Sequence, residues 1–462
     1  MSTRTVARLA AIFVGITSVA ASQVAMGQCG LTPVLPSDAL SLTGYGAGVA
    51  IDGDTLVVAQ RLSVAGRSGT VYIFERAETG WTQVEKLTSP VGETDWFGYS
   101  IAVSGNYLVV GAPDYLGGTS AGKAYVYEHG PSGWVYQIAL VAWFGSSPDS
   151  FGESVAVDGD YIVVGSPGYS SGYGRVWVFH REPSGWVEQR SLTPWSAGPR
   201  YQAGRSVGIS GDWIIFGVPN ADSVDSTYYD NAGVVYLAQR NDAFWAVSER
   251  LTSSAPYRDE QFGFSVAISG NVALIGTRSG NTVTVHEYNG ADWSRLGEIR
   301  SADHESGYGF GRCVAIDGDW VSVGAYGKSD TGIASGAAYI FRRTGRYTWT
   351  QEVKIVIPGA GDYTMVGYGV DISATEAVVG APAFVSVDPG AAYVVSVDSL
   401  GYGDFDGDSF ISANDYIDFE ACLAGPGGGG IGAECACADF TANGSIDLAD
   451  FAGFQAAFTG EP

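Results

Sequence analysis

The sequence predicts an all-β chain closed into a seven-bladed β-propeller of four-stranded blades, followed by a small α-helical, calcium-binding unit. Three observations lead there. Close copies of "FGESVAVDGDYIVVGSP", residues 151–167, recur seven times, each copy reads as paired strands, and the composition changes after residue 398 into two acidic loop-helix segments.

The copies begin at Tyr45, Phe97, Phe151, Ala203, Phe262, Phe310 and Val366. Their second-place glycines, from Gly46 to Gly367, are 48 to 59 residues apart. That period is far longer than a heptad or a leucine-rich repeat and fits a four-stranded blade with variable loops. Within a copy, "SVAVDGDYIVVG" holds two β-branched and aromatic runs joined by Asp158-Gly159-Asp160, where the glycine supplies the positive φ of a tight hairpin turn. A third run such as "GRVWVFHR" follows a Gly/Ser-rich loop, and a fourth opens on tryptophan. Trp81, Trp134, Trp186, Trp245, Trp293 and Trp349 hold that place, half of the 12 tryptophans, which predicts packing between neighbouring blades.

The seventh copy ends with its third strand, "AAYVVSVD", and has no tryptophan strand. A propeller left open exposes a bare sheet edge. The segment from Gln28 to Pro36 is therefore expected to supply the outer strand of the last blade, so that residues 28–398 form one ring.

These repeats resemble the FG-GAP family, whose name is nearly spelled by "FGYSIAVSGNYLVVGAP" at Phe97, and whose best-known members are the seven-bladed propellers of integrin α subunits. The resemblance covers about residues 44–398. It implies an extracellular propeller serving adhesion or ligand binding. Integrin-type blades often carry a calcium loop of the form D-x-D-x-D-G, which no copy here has. The "DGD" of Asp52-Gly53-Asp54 and of Asp317-Gly318-Asp319 reads as a hairpin turn instead.

Residues 1–27 read as a signal peptide: Arg4 and Arg8, then the short apolar run "LAAIFVGITSVAA", then Ala25-Met26-Gly27 as the cleavage region. No other segment approaches a membrane-spanning length. The expectation is a bacterial protein that is secreted or held at the cell surface, and a monomer. With 49 acidic against 24 basic residues and a formal charge of −25, the chain is expected to repel nucleic acid and anionic lipid.

Residues 399–403 read as a linker and 404–462 as a second unit. "DFDGDSFISAND" places Asp404, Asp406, Asp408 and Asp415 at the first, third, fifth and twelfth places of a calcium loop. "DFTANGSIDLAD" repeats the pattern with Asp439, Thr441, Asn443 and Asp450. Alternating oxygen ligands in a tight loop suit a hard cation, so two Ca2+ sites are expected, the second weaker for its lower charge. Each loop runs into a short amphipathic helix, with Tyr416, Phe419 and Leu423 on one face and Phe451, Phe454 and Phe458 on the other copy's face. The pair resembles a dockerin type I module, which implies docking onto a cohesin-like receptor. The Gly-rich "GPGGGGIGAECACA" between the halves is longer than a typical dockerin linker.

Of the five cysteines, Cys422 is expected to pair with Cys435 or Cys437, with a zinc site as the alternative; Cys313 reads as a buried thiol and Cys29 stands apart. His129, His180 and His286 close third strands at places where other copies carry Arg, Glu or Phe, and with His304 they form no catalytic pattern. No catalytic residue is assigned. Asp114, Asp222, Asp225, Tyr228, Tyr229, Asp230 and Asp330 are the polar loop residues expected to contact a protein or glycan ligand. Two readings follow: a non-catalytic binding protein anchored by its tail, or a polysaccharide hydrolase or lyase tethered in the same way. A plain structural spacer is a third.

Overall fold

The computed structural model describes residues 31–397 apart from 39–43, 62–68, 78–79, 93–94, 114–120, 143–144, 146–148, 196–197, 224–227, 243, 279, 304–307, 358–359 and 385–389, together with Tyr416, Phe419, Glu420, Cys422 and Phe451. Seven four-stranded antiparallel sheets make up the described chain. The third copy is typical, with strands Ser154–Asp158, Tyr161–Ser166, Arg175–Glu182 and Gly185–Leu192. Its second and third strands are covered on both faces, so they read as nearly unbroken apolar runs, "YIVVGS" and "VWVF", whereas the half-exposed outer strand alternates. The first strands neighbour one another around the ring, and the first and last blades are adjacent through Tyr45–Asp52 and Val370–Ile372, which closes it.

Closure uses the N-terminal strap that the missing tryptophan strand calls for. Leu31–Val34 runs antiparallel to Ala391–Ser396, with Leu31 opposite Val395 and Val34 opposite Ala392, and so completes the seventh sheet.

The hydrophobic core lies at the seams. Each of seven buried clusters joins two neighbouring blades, from Val57, Ile73, Leu108 and Tyr125 at the first seam to Val34, Tyr45, Val378 and Val394 at the seam that closes the ring. The repeated tryptophans bear on the blade before: Trp186 meets Tyr107 edge-on at 5.2 Å, Trp245 meets Tyr161 at 5.6 Å, and Trp293 meets Trp213 at 5.2 Å. One register shift recurs between third and fourth strands, as at Val178/Phe179 and Leu237/Ala238, a β-bulge that adds twist at the rim.

The two recurrent glycines have a common cause. Each second-place glycine has φ near +80 to +90, and the glycine near the end of the second strand in six blades lies against the backbone of the next blade. A Cβ at Gly217 would come within 1.9 Å of the Gly263 carbonyl oxygen, and one at Gly165 within 2.0 Å of that of Gly204. The serines two places after the FG glycines, such as Ser154 and Ser206, donate to the same carbonyls at 2.8 and 2.9 Å. The FG and GAP ends of the motif thus form one blade-to-blade joint. Cys313 occupies the equivalent serine position and is a free thiol, its pKa raised to about 11 by burial.

In the tail, Tyr416, Phe419, Glu420, Cys422 and Phe451 are helical. Phe451 packs on Phe419 at 5.9 Å and Tyr416 at 6.2 Å, so rings from the two predicted loop-helix segments meet. Cys422 is disulfide-bonded. The signal-peptide residues, the linker, all eight predicted calcium ligands, Cys29, Cys435 and Cys437 lie outside the described residues. No described helix is long and apolar enough to cross a membrane.

Candidate ligand-binding site

Every first strand runs from the FG motif to the hairpin turn, so the ring has two unlike faces. One carries the tight turns. The other carries the long, variable loops, and there the third residue of each copy heads a strand of the channel wall: Ala47, Tyr99, Glu153, Arg205, Phe264, Arg312 and Tyr368. The backbone just before the FG pair is left-handed in all seven copies, from Gly44 through Gln202 and Gln261 to Met365. That sharp approach sets where each loop delivers its side chains.

Among the described residues, two cavities open on this face. One of about 260 Å3 sits at the channel mouth among Tyr99, Glu153, Arg205, Arg312 and Tyr368. The other, of about 520 Å3, lies beside it over blades 4 to 6, and shares Arg312 and Tyr326 with the first. Its size is within the range of small-molecule and single-residue subsites.

The mouth is built from guanidinium groups and rings. Arg61 lies 3.7 Å over the Tyr99 ring and donates to the Tyr99 carbonyl and, at 3.4 Å, to the Tyr368 hydroxyl. Arg205 pairs with Glu153 at 3.1 Å and faces Phe264 at 5.0 Å. Arg312 lies 5.1 Å from Phe264 and 4.5 Å from Tyr326. Such cation–π contacts hold a guanidinium in place without neutralising it. Burial, and then the like charges of Arg278 and Arg205, lower the pKa of Arg312 from its ordinary value, and its Nε is buried with no hydrogen-bond partner.

The larger cavity adds an ordered set of amides. Arg278 Nη1 donates to Gln261 Oε1 at 3.2 Å, Gln261 Nε2 donates to Asn220 Oδ1, and Asn220 Nδ2 donates to Gln202 Oε1 at 3.0 Å. Because arginine only donates, the relay fixes the orientation of each amide in turn. Asn231 closes the other side through Asp259 at 2.8 Å. Glu260, between two lining residues, has its pKa pushed up to about 7 by burial, but its carboxylate accepts the Tyr257 amide and does not line the cavity.

The predicted loop residues fall beside this site or away from it. Asp222 accepts bonds from the Tyr228 hydroxyl at 2.8 Å and the Asn231 amide at 3.0 Å, so it shapes the loop behind Asn231. The Tyr229 carbonyl accepts from the Ser223 amide, and Asp230 pairs with Arg258. Asp330 belongs to another group, held with Asp303 by Lys354 at 2.7 and 2.8 Å and by Lys328, which is 3% exposed. Asp114 and Asp225 lie outside the described residues, as does His304. His129 pairs with Glu75 on the turn side, His180 packs on Tyr161, and buried His286 has its pKa pushed down to about 4 by burial and then Arg295.

Sequence reasoning missed Arg61, Arg205, Arg278 and Arg312. A signal existed: the third motif place is where the copies change chemical class, from Glu153 to Arg205 to Phe264 to Arg312.

Four segments, residues 32–74, 81–127, 134–179 and 293–341, match the family described as FG-GAP repeat. Human integrin alpha-7 is 33% identical over 178 residues, an alignment covering 34% of this chain and 15% of the integrin. The chain thus matches a small part of that relative's length. A solved structure from Bacteroides uniformis ATCC 8492, provisionally assigned as a 6-phosphogluconolactonase, superposes with a TM-score of 0.48 and 13% identity over 71% of this chain and 89% of its own. A likeness at that level carries no functional weight.

Proposed function

We propose that this FG-GAP β-propeller is a secreted, non-catalytic binding or adhesion protein that takes a protein or glycan ligand on its loop face. The observation that carries the reading is the concentration of variable loops, aromatic rings and guanidinium groups around one cavity pair, on a scaffold whose other face is closed by short turns. A rigid ring that displays unlike loops is suited to recognition. The tail, in this reading, anchors the protein through two calcium loops in the manner of a dockerin, and the meeting of Tyr416 and Phe419 with Phe451 supports a packed pair of loop-helix units.

The tethered polysaccharide hydrolase or lyase is the second reading. Glycosidase chemistry uses two carboxyl groups facing each other across the scissile bond. Among the described residues lining the two cavities, the carboxylates are Glu153, paired with Arg205, and Asp259, bonded to Asn231. Both are already engaged by a neighbouring side chain, which supports binding over hydrolysis.

The test is to probe glycan and peptide arrays with the full mature chain, with and without calcium, and to assay the hits for newly released chain ends. Retention on the array without cleavage is the expected result. Catalytic release of ends would replace this reading with the enzyme. Calcium titration of the full chain beside its Asp404→Ala, Asp439→Ala variant is expected to lose two sites, and an unchanged titration would remove calcium from the tail.

A further inference from the structure

We propose that the larger loop-face cavity binds an acidic sugar unit, a hexuronate within a polysaccharide, with its carboxylate held by Arg278 and Arg312. The proposal deepens the binding reading above and rests on it.

The carboxylate follows from charge. In a chain with 49 acidic and 24 basic residues, an arginine has many possible partners, yet Arg278 and Arg312 form no salt bridge among the described residues. Arg278 bonds a neutral amide and Arg312 is held by rings alone. The one described carboxylate that lines the cavity, Asp259, is bonded to Asn231; two guanidinium groups that form no salt bridge of their own favour an anion between them, and a planar guanidinium matches a carboxylate in bidentate geometry.

The sugar ring follows from the rest of the lining. Among the described lining residues no side chain is aliphatic: beside the arginines stand amides, two tyrosines, Asp259 and two glycines. An acidic peptide would find no apolar pocket there for its neighbouring side chains. A pyranose presents hydroxyls at its edge and C–H groups on its faces. Gln261 and Asn220 each use one N–H and one carbonyl lone pair in the relay, which leaves a second donor and a second lone pair on each at a fixed angle. Tyr308 and Tyr326 supply flat surfaces for the ring faces.

The experiment is calorimetric titration of the full mature chain with tetragalacturonate, with its methyl ester, which keeps the ring and loses the charge, and with a glutamate-rich peptide. Tetragalacturonate is expected to bind, with affinity falling as salt rises, and the ester and peptide to bind at least about tenfold more weakly. Arg278→Gln, at an exposed position, is expected to weaken tetragalacturonate by about tenfold or more while leaving the melting temperature unchanged. Arg312→Gln should act in the same direction. Equal binding of the ester, tighter binding of the peptide, or no effect of Arg278→Gln would overturn the proposal. If tetragalacturonate fails while the arrays still yield a loop-face ligand, the acidic-sugar inference falls and the binding reading stands; if both are silent, both fall.

Discussion

The two ends of the central channel are made by the same seven strands and carry opposite charge. At the loop end, Arg61, Arg205 and Arg312 surround the opening with one lining carboxylate, Glu153. Toward the turn end, Asp52, Asp317 and Asp371 interact as like charges. The turn end is tied to the scaffold: the Gly211 amide donates to Asp158 of the preceding blade at 2.7 Å, and the Gly270 and Gly318 amides donate to Ser210 and Ser269. Four of its Asp and Ser residues, Asp52, Asp158, Ser210 and Ser269, accept a bond from the next blade, which gives that place in the repeat a structural task. At the loop end the joint is made by backbone, glycine and the serine two places after it, so the third-place side chain takes no part in it and is open to change.

That contrast can be broken most severely at the glycine joint. Gly217→Ala puts a Cβ within 1.9 Å of the Gly263 carbonyl, so one of two blades must shift, and a loss of about 3 kcal/mol in urea unfolding is expected. Stability close to wild type would show that the seam tolerates side chains and that the glycines serve another purpose.

A smaller and pH-dependent effect belongs to the turn-end carboxylates. Asp371 replaces the alanine of most copies and accepts the Ile51 amide across the closing seam at 2.9 Å. Burial, with Asp317 and Asp52 adding to it, raises its pKa to about 7 from 3.8. The folded chain thus holds a proton that the unfolded chain releases, and this contribution is full below pH 3.8 and lost as pH rises through 7. Asp371→Asn is expected to remove that decline and to stabilise the protein at pH 8 by about 1–2 kcal/mol. Equal pH profiles for the two proteins, followed by thermal melting, would rule it out.

The smallest effect tests the turn-end bond itself. Asp158→Ala removes an exposed acceptor and leaves the Gly211 amide to water, so a loss of about 0.5–1 kcal/mol is expected, with no change in ligand affinity. An altered affinity would mean that the two faces are coupled through the strand.

Much of the scaffold was legible because its signals are local. Asp158-Gly159-Asp160 names a turn, "YIVVGS" names a strand covered on both sides, and the absent seventh tryptophan strand points to the strap of Leu31–Val34. The site was less legible because it is assembled across blades. Arg61 and Arg312 meet at one opening from blades 1 and 6, and nothing local to either residue announces that. Asp222, Tyr228 and Asp230 attracted notice as a polar loop cluster, and such a loop satisfies its own backbone before it meets a ligand. The left-handed Gln202 and Gln261 carry no warning at all, since glutamine has no preference for that conformation.

The strap also sets a timetable. Leu31 emerges from the ribosome well ahead of its partner Val395, so at typical synthesis rates the strand waits roughly 20–70 s for the blade it must complete. Over that interval the last seam does not exist, and the growing chain carries an uncovered edge at each end of an open arc. The vacant place can accept the same strand from a second molecule as readily as its own, so crowded synthesis of this propeller favours strand-exchanged pairs, and dilution favours the closed single ring.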